Sequence, residues 1–195
     1  MLVEALAGLA DRRWTLHCAG SLARDAAAAA AVHALVAQHG LQERIVWHGE
    51  VNSARLDSLY AQADLFVLPS FHEGYGMALA EALVRGLPIV SCAAGAIPDT
   101  VPPSAGLLVP PGDAAALRAA LRRVMDEPGL RTALAAGARA AGTRLPTWPQ
   151  AVARFAAVLH QVGEAGEANG VGEANKVGKL GAAGKAGDTD EAAAP

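Results

Sequence analysis

The chain has 195 residues, enough for one domain of ordinary size and short for two, and no apolar run approaches the roughly 18 to 20 residues of a membrane span. Its 52% hydrophobic content includes 47 alanines, which leaves 55 larger apolar residues, and its net charge of −3 argues against a general nucleic-acid-binding surface. The first 162 residues hold 13 arginines, 13 acids and no lysine, since Lys176, Lys179 and Lys185 all lie later, so a function that needs a lysine in that part is excluded.

Met1 to Ala10 has no basic stretch ahead of a hydrophobic run, so a soluble, cytoplasmic protein is the default expectation. In chain order, Thr15 to Gly20 reads as a strand, Ala23 to His39 as an alanine-rich helix closed by Gly40, and Ile45 to Gly49 as a strand. Ser53 is expected to cap a helix over 54–62; Leu65 to Pro69 follows as a strand, then Tyr75 to Arg85 as a helix ended by Gly86 and Pro88. Ile89 to Cys92 and Leu107 to Val109 read as short strands, Asp113 caps a helix to about Met125, and helices are expected over roughly 129–144 and 147–162. Strands apolar on both faces that alternate with helices predict an α/β, Rossmann-like parallel sheet with helices on both sides over residues 1–162. Residues 163–195 hold eight Gly, nine Ala and no aromatic residue, and are expected to form a disordered tail.

In such folds ligands bind beyond the carboxyl ends of the strands, which directs attention to Gly20–Arg24, Gly49–Asn52, Ser70–Gly76 and Ala93–Asp99. The most informative segment is Leu65 to Pro88. Gly74 and Gly76 allow a ligand to approach the backbone, and the free amides at a helix start favour an anion such as a phosphate. Glu73 lies before that helix and Glu81 about 9 Å further along its axis, at ~1.5 Å per residue. On spacing alone the two carboxylates fit either acceptors for sugar hydroxyls across a diphosphate or ordinary solvated helix acids.

The stretch Pro69-Ser70-Phe71-His72-Glu73-Gly74-Tyr75-Gly76-Met77, continued by Glu81-Ala82 and Gly86-Leu87-Pro88-Ile89-Val90, closely resembles the signature of glycosyltransferase family 4, the group 1 enzymes of the GT-B fold. The resemblance extends to Ala94–Asp99, Gly106–Asp113, Ile45–Val51 and Leu56-Tyr60-Ala63-Asp64, and covers about residues 1–160. It implies the C-terminal, donor-binding half of a retaining glycosyltransferase that takes a UDP- or GDP-linked sugar and transfers it to a sugar, lipid or polysaccharide acceptor. By carry-over, Glu73 is the catalytic-site residue that contacts the donor sugar. The amides of Gly74, Tyr75, Gly76 and Met77 hold the diphosphate, Glu81 binds the ribose, Gly49, Glu50 and Val51 lie against the base, and Gly20 is in the first donor-facing loop. His72 stands beside Glu73 as a further candidate donor contact. The family generally needs no metal and no cofactor.

Three departures are visible. Gly20-Ser21-Leu22 stands where the family has Gly-x-Gly, and Gly95-Ala96-Ile97-Pro98-Asp99 where it has Gly-Gly-x-Pro-Glu. The family also has an upstream strand ending in Gly-Arg, followed by Lys-Gly, whose two cations neutralise the diphosphate. Met1-Leu2-Val3-Glu4-Ala5-Leu6-Ala7 looks like the helix after that motif, so the expectation is a chain incomplete at its N-terminus, lacking a central strand between those at 15–20 and 65–70, and inert or nearly so alone. A non-catalytic nucleotide-sugar-binding module and a GT-B-fold epimerase are the competing readings. Cys18 and Cys92 read as buried strand residues, and His17, His33, His39, His48 and His160 show no metal-ligand spacing. No nucleic-acid partner and no membrane attachment is indicated.

Overall fold

The computed structural model describes residues 1–168. Its elements are α1 (Leu2–Ala7), β1 (Leu16–Ala19), α2 (Ala26–Gln38), β2 (Ile45–Gly49), α3 (Ser53–Gln62), β3 (Phe66–Leu68), α4 (Met77–Val84), β4 (Ile89–Cys92), α5 (Ile97–Thr100), β5 (Gly106–Val109), α6 (Ala114–Asp126), α7 (Pro128–Gly142) and α8 (Trp148–Ala168). The chain divides into two units, Met1–Leu145 and 146–195. In the second, α8 runs six residues past the expected boundary at 162. The rest of the expected tail, 169–195, lies outside the described residues.

Caps set most of the helix boundaries. Asp25 accepts the Ala28 amide at 2.9 Å and starts α2 at Ala26, three residues later than the expected start at Ala23. Asn52, not Ser53, caps α3, because Asn52 has the extended backbone a cap needs while Ser53 is already helical, and Asn52 Oδ1 accepts the Arg55 amide at 2.9 Å. Asp113 caps α6 as expected, accepting the Ala116 amide at 2.8 Å.

All strand pairs are parallel, as predicted, but they form two sheets. β1 pairs with β2, with an irregularity between Cys18 and Ala19, and β4 lies between β3 and β5. β1 and β3 therefore each pair along one edge only, and among the described residues no strand joins the two sheets. A parallel edge left open in an α/β fold forfeits a ladder of backbone hydrogen bonds.

The core is centred on β4, whose residues are all 0% exposed, as expected for a strand apolar on both faces. Leu79 and Leu83 of α4, Ile97 of α5, and Leu117, Leu121 and Val124 of α6 close around it. Among the described residues the one buried polar side chain, Ser91, donates its hydroxyl to the Leu68 carbonyl and ties β4 to β3 a second time.

The loop after α1 is fastened to the end of α6. Arg12 donates Nε to Asp126 Oδ1 at 2.9 Å and Nη2 to Oδ2 at 2.7 Å, a two-pronged ion pair. Hydrogen bonds from Arg12 hold the Asp126 carboxyl below its ordinary range, helped by the charges of Arg12 and Arg122. A carboxyl lowered in the folded state binds its proton more readily when unfolded, so its contribution is complete above about pH 4 and is lost as pH falls through the lower, folded value. Asp126→Asn should therefore flatten the acid limb of a melting-temperature profile between about pH 5 and pH 3, leaving wild type and variant closest at the acid end.

Candidate functional site

The loop between β3 and α4 is held at four points. The Ser70 amide donates to the Leu68 carbonyl at 2.9 Å and the Ser70 hydroxyl to the His72 carbonyl at 2.8 Å. Beyond the tip, the Glu73 carbonyl accepts the Ala96 amide at 2.9 Å, and the Tyr75 carbonyl accepts the Thr100 hydroxyl at 3.0 Å. Gly95, with φ +54°, lies so close to Glu73 that a Cβ there would fall 2.9 Å from the Glu73 nitrogen and closer still to its carbonyl oxygen. The turn before α5 thus fixes the backbone of Glu73, and the last residue of α5 that of Tyr75.

Gly76 ends the loop in the left-handed region, φ +82° and ψ 48°, and α4 begins at Met77, two residues later than the sequence suggests. No side chain caps this helix. Among the described residues the amides from Gly74 to Leu79 find no acceptor in the protein; the first bond of the helix is Ala80 N–H to Gly76 O. Such a run of free amides at a helix start, with glycines where the backbone turns, is the arrangement that receives an anion. Glu73 is half-buried at its rim, and Phe71, His72, Tyr75 and Met77 are exposed around it.

Glu81 has a different setting. Its carboxylate lies 3.9 Å from Arg85 Nη1, and Arg85 also bonds Asp57 and lies over the Tyr60 ring, 4.4 Å from its centroid. Burial, then the Glu81 charge, pushes the Tyr60 hydroxyl up to about 12. Glu81 thus belongs to a cluster joining α3 and α4, and no hydrogen bond connects it to the Glu73 loop among the described residues.

The remaining candidates gather at the carboxyl ends of β1 and β2. The Gly20 amide donates to the Gly49 carbonyl at 2.8 Å, and both glycines have positive φ. Glu50 is exposed and Val51 half-buried just before α3. Beside them the structure pairs two histidines the sequence left unrelated: His17 Nδ1 and His48 Nε2 are 2.9 Å apart. Burial, then the charges of Arg55 and His17, push His48 below its ordinary value. His33 stacks on Trp47. Among the described residues no group of three or more His, Cys, Asp or Glu side chains could hold a metal ion.

A cleft of about 610 Å³ lies elsewhere, at the amino ends of β3 and β4, lined by Asp57, Tyr60, Arg85, Gly86, Arg131 and Arg139. There Arg85 meets the carbonyl end of α4, donating to Glu81 O at 3.2 Å, which is where a helix favours a cation.

The fold and this loop define a doubly wound α/β domain with an anion-receptive helix start at the carboxyl end of its strands. The chain belongs to the group 1 glycosyl transferases: the family's model matches residues 1–141. Over 162 residues it is 34% identical to a D-inositol 3-phosphate glycosyltransferase of Xylanimonas cellulosilytica, which covers 83% of this chain and 38% of that protein. A 2-deoxystreptamine glucosyltransferase of Streptomyces kanamyceticus is 33% identical over 65% of this chain and 32% of its own length. The chain therefore spans less than two fifths of these curated relatives. Among solved structures, the C-terminal domain of a group 1 glycosyl transferase from Francisella tularensis matches with a TM-score of 0.66 and 25% identity, over 72% of this chain and 75% of that one. Sucrose-phosphate synthase from Thermosynechococcus elongatus matches with a TM-score of 0.74 and 28% identity, over 84% of this chain and 43% of that one. HepE of Anabaena, solved with UDP and glucose, has the same fold with a TM-score of 0.75 at 23% identity, over 82% of this chain and 44% of its own. The fold is that of the C-terminal domain of GT-B glycosyltransferases, as expected from the motifs.

Proposed function

We propose that this chain is the donor-binding half of a retaining glycosyltransferase, and that it binds a nucleotide-sugar without turning it over appreciably alone. The observation that carries this reading is the run of free amides from Gly74 to Leu79, bordered by the half-buried residue Glu73. The amides receive the diphosphate and Glu73 accepts hydrogen bonds from the sugar hydroxyls. Glu81, kept in place by Arg85, serves the ribose; Gly20, Gly49, Glu50 and Val51 border the base, and His72 the donor. Three structures of HepE, which has the same fold, hold UDP, UDP with glucose, and UDP-glucose.

Charge accounts for the proposed inactivity. A diphosphate leaving group develops negative charge that the amides meet only in part, and residues 1–162 contain no lysine. Losing one preorganised charge-stabilising donor typically slows an enzyme by about 100- to 1,000-fold. A segment bearing the family's Gly-Arg and Lys-Gly cations would supply that charge.

The test is calorimetric titration of the chain with UDP, UDP-glucose, GDP and GDP-mannose, with and without EDTA, alongside an assay for sugar release. We expect one nucleotide series to bind, EDTA to leave the affinity unchanged, and turnover to rise by at least 100-fold when a segment bearing the strand and both cations is joined upstream of Met1. Absence of binding by every nucleotide would overturn the donor reading. Binding with no gain from the added segment would favour a non-catalytic binding module.

A further inference from the structure

We propose that Phe71 is an aromatic platform for the sugar ring of the donor, a role that rests on the donor reading above. Phe71 is 70% exposed, more than any other large apolar side chain of the Met1–Leu145 unit. An exposed benzyl group at a loop tip gains nothing from the core, and with Tyr75 and Met77 also exposed the loop presents three large apolar side chains at the candidate site.

The tip that carries it is fixed on both sides. Ser70 bonds back to Leu68 and forward across Phe71 to the His72 carbonyl, and the next residue, Glu73, is fastened to α5 by the Ala96 amide. The ring is therefore carried on an anchored turn, which lowers the ordering entropy that binding would otherwise have to meet. Its edge lies beside Gly112 in the turn between β5 and α6, where a Cβ would come within 3.6 Å of Phe71 Cε1.

Phe71 stands two residues before Glu73, which the donor reading places against the sugar hydroxyls, so the ring and that carboxylate are carried on one turn. A hexose has polar hydroxyl edges and faces made of C–H groups. The Glu73 carboxylate, two residues from Phe71, suits the hydroxyl edge. The electron-rich face of the phenyl ring suits the positively polarised C–H face.

The experiment compares each bare nucleotide with its sugar-bearing form, UDP against UDP-glucose and GDP against GDP-mannose, in wild type, Phe71→Ala, Phe71→Leu and Phe71→Tyr. For the series that binds, Phe71→Ala should weaken the nucleotide-sugar about tenfold, equivalent to about 1.4 kcal/mol, and leave the bare nucleotide unchanged, which also shows that the loop is intact. Phe71→Tyr should restore affinity and Phe71→Leu should not, because it keeps apolar bulk without the aromatic face. Equal loss for nucleotide and nucleotide-sugar, no loss for either, or rescue by leucine would each overturn the platform while the donor reading stands. Failure of wild type to bind any nucleotide would remove the donor reading and the platform with it.

Discussion

Gly95→Ala should abolish nucleotide-sugar binding while leaving a folded protein. Gly95 has φ +54°, a conformation that costs an L-residue roughly 1–2 kcal/mol. Its new Cβ would also meet backbone atoms of Glu73, which cannot swing away as the end of a side chain can. The segment from Glu73 to Gly76 would have to lift from α5, breaking the hydrogen bonds from Ala96 to Glu73 and from Thr100 to Tyr75. The free amides and the carboxylate would then no longer face one ligand, and losing two charge-assisted hydrogen bonds at about 1.5–3 kcal/mol each accounts for a hundredfold or more in affinity. We expect affinity to fall at least 100-fold and stability by about 2 kcal/mol. Gly112→Ala is the matched comparison. It too imposes a positive φ, +82°, but its Cβ would make only ordinary van der Waals contact with Phe71. Calorimetry on the two variants separates backbone strain from displacement of the loop; similar affinities would refute the view that Gly95 seats Glu73.

The second large effect is on stability. Alanine at a mid-helix glycine ordinarily stabilises a helix by about 1 kcal/mol, yet Gly137→Ala should destabilise this protein by about 3 kcal/mol. Gly137 of α7 lies against the chain just before β5, and a Cβ would sit 2.5 Å from the carbonyl carbon of Ser104. Gly142, at the end of the same helix, faces the backbone of Leu83 and Val84, with a Cβ there 2.7 Å from the Leu83 oxygen. Together they let α7 approach the core and the back of α4 at backbone distance. Gly129, near the start of α7, has nothing within 4 Å of its Cβ position, so Gly129→Ala should be neutral or stabilising by up to about 1 kcal/mol. Urea unfolding of the two variants, with unchanged slopes, tests opposite signs within one helix. A loss of under 0.5 kcal/mol for Gly137→Ala would contradict close packing here.

Local chemistry made some of this architecture readable and left other parts hidden. β4 was legible to the residue, because Ile-Val-Ser-Cys is a short apolar run set off by Gly86 and Pro88. The start of α2 was not, since a run of alanines carries no periodicity and only the Asp25 side chain decides where the helix opens. α4 began late because Gly76 takes a left-handed backbone, a choice made by packing against Leu79 and Glu73. The short α5 was hidden inside a motif read for its chemistry. Strand order is a long-range property: alternation identified parallel strands, while their division into two sheets depends on which edges find partners. Within the candidate site, the motif marked Glu73 and its glycines. The grip of Gly95 and Thr100, the Phe71–Gly112 approach and the His17–His48 pair join residues 22 to 41 positions apart and emerge only on folding.

The division into two sheets also distributes the chain's only two cysteines, one to each. Cys18 is half-buried in β1, Cys92 is fully buried in β4, and burial raises the pKa of both thiols, so neither reacts readily in the closed protein. Each sheet thus contains a built-in chemical clock: the labelling rate at each cysteine reports how often its own sheet opens. Matching opening free energies, each read from the denaturant dependence of labelling, would identify a single cooperative unit, whereas a lower one at Cys18 would identify β1 and β2 as a separate, weaker foldon.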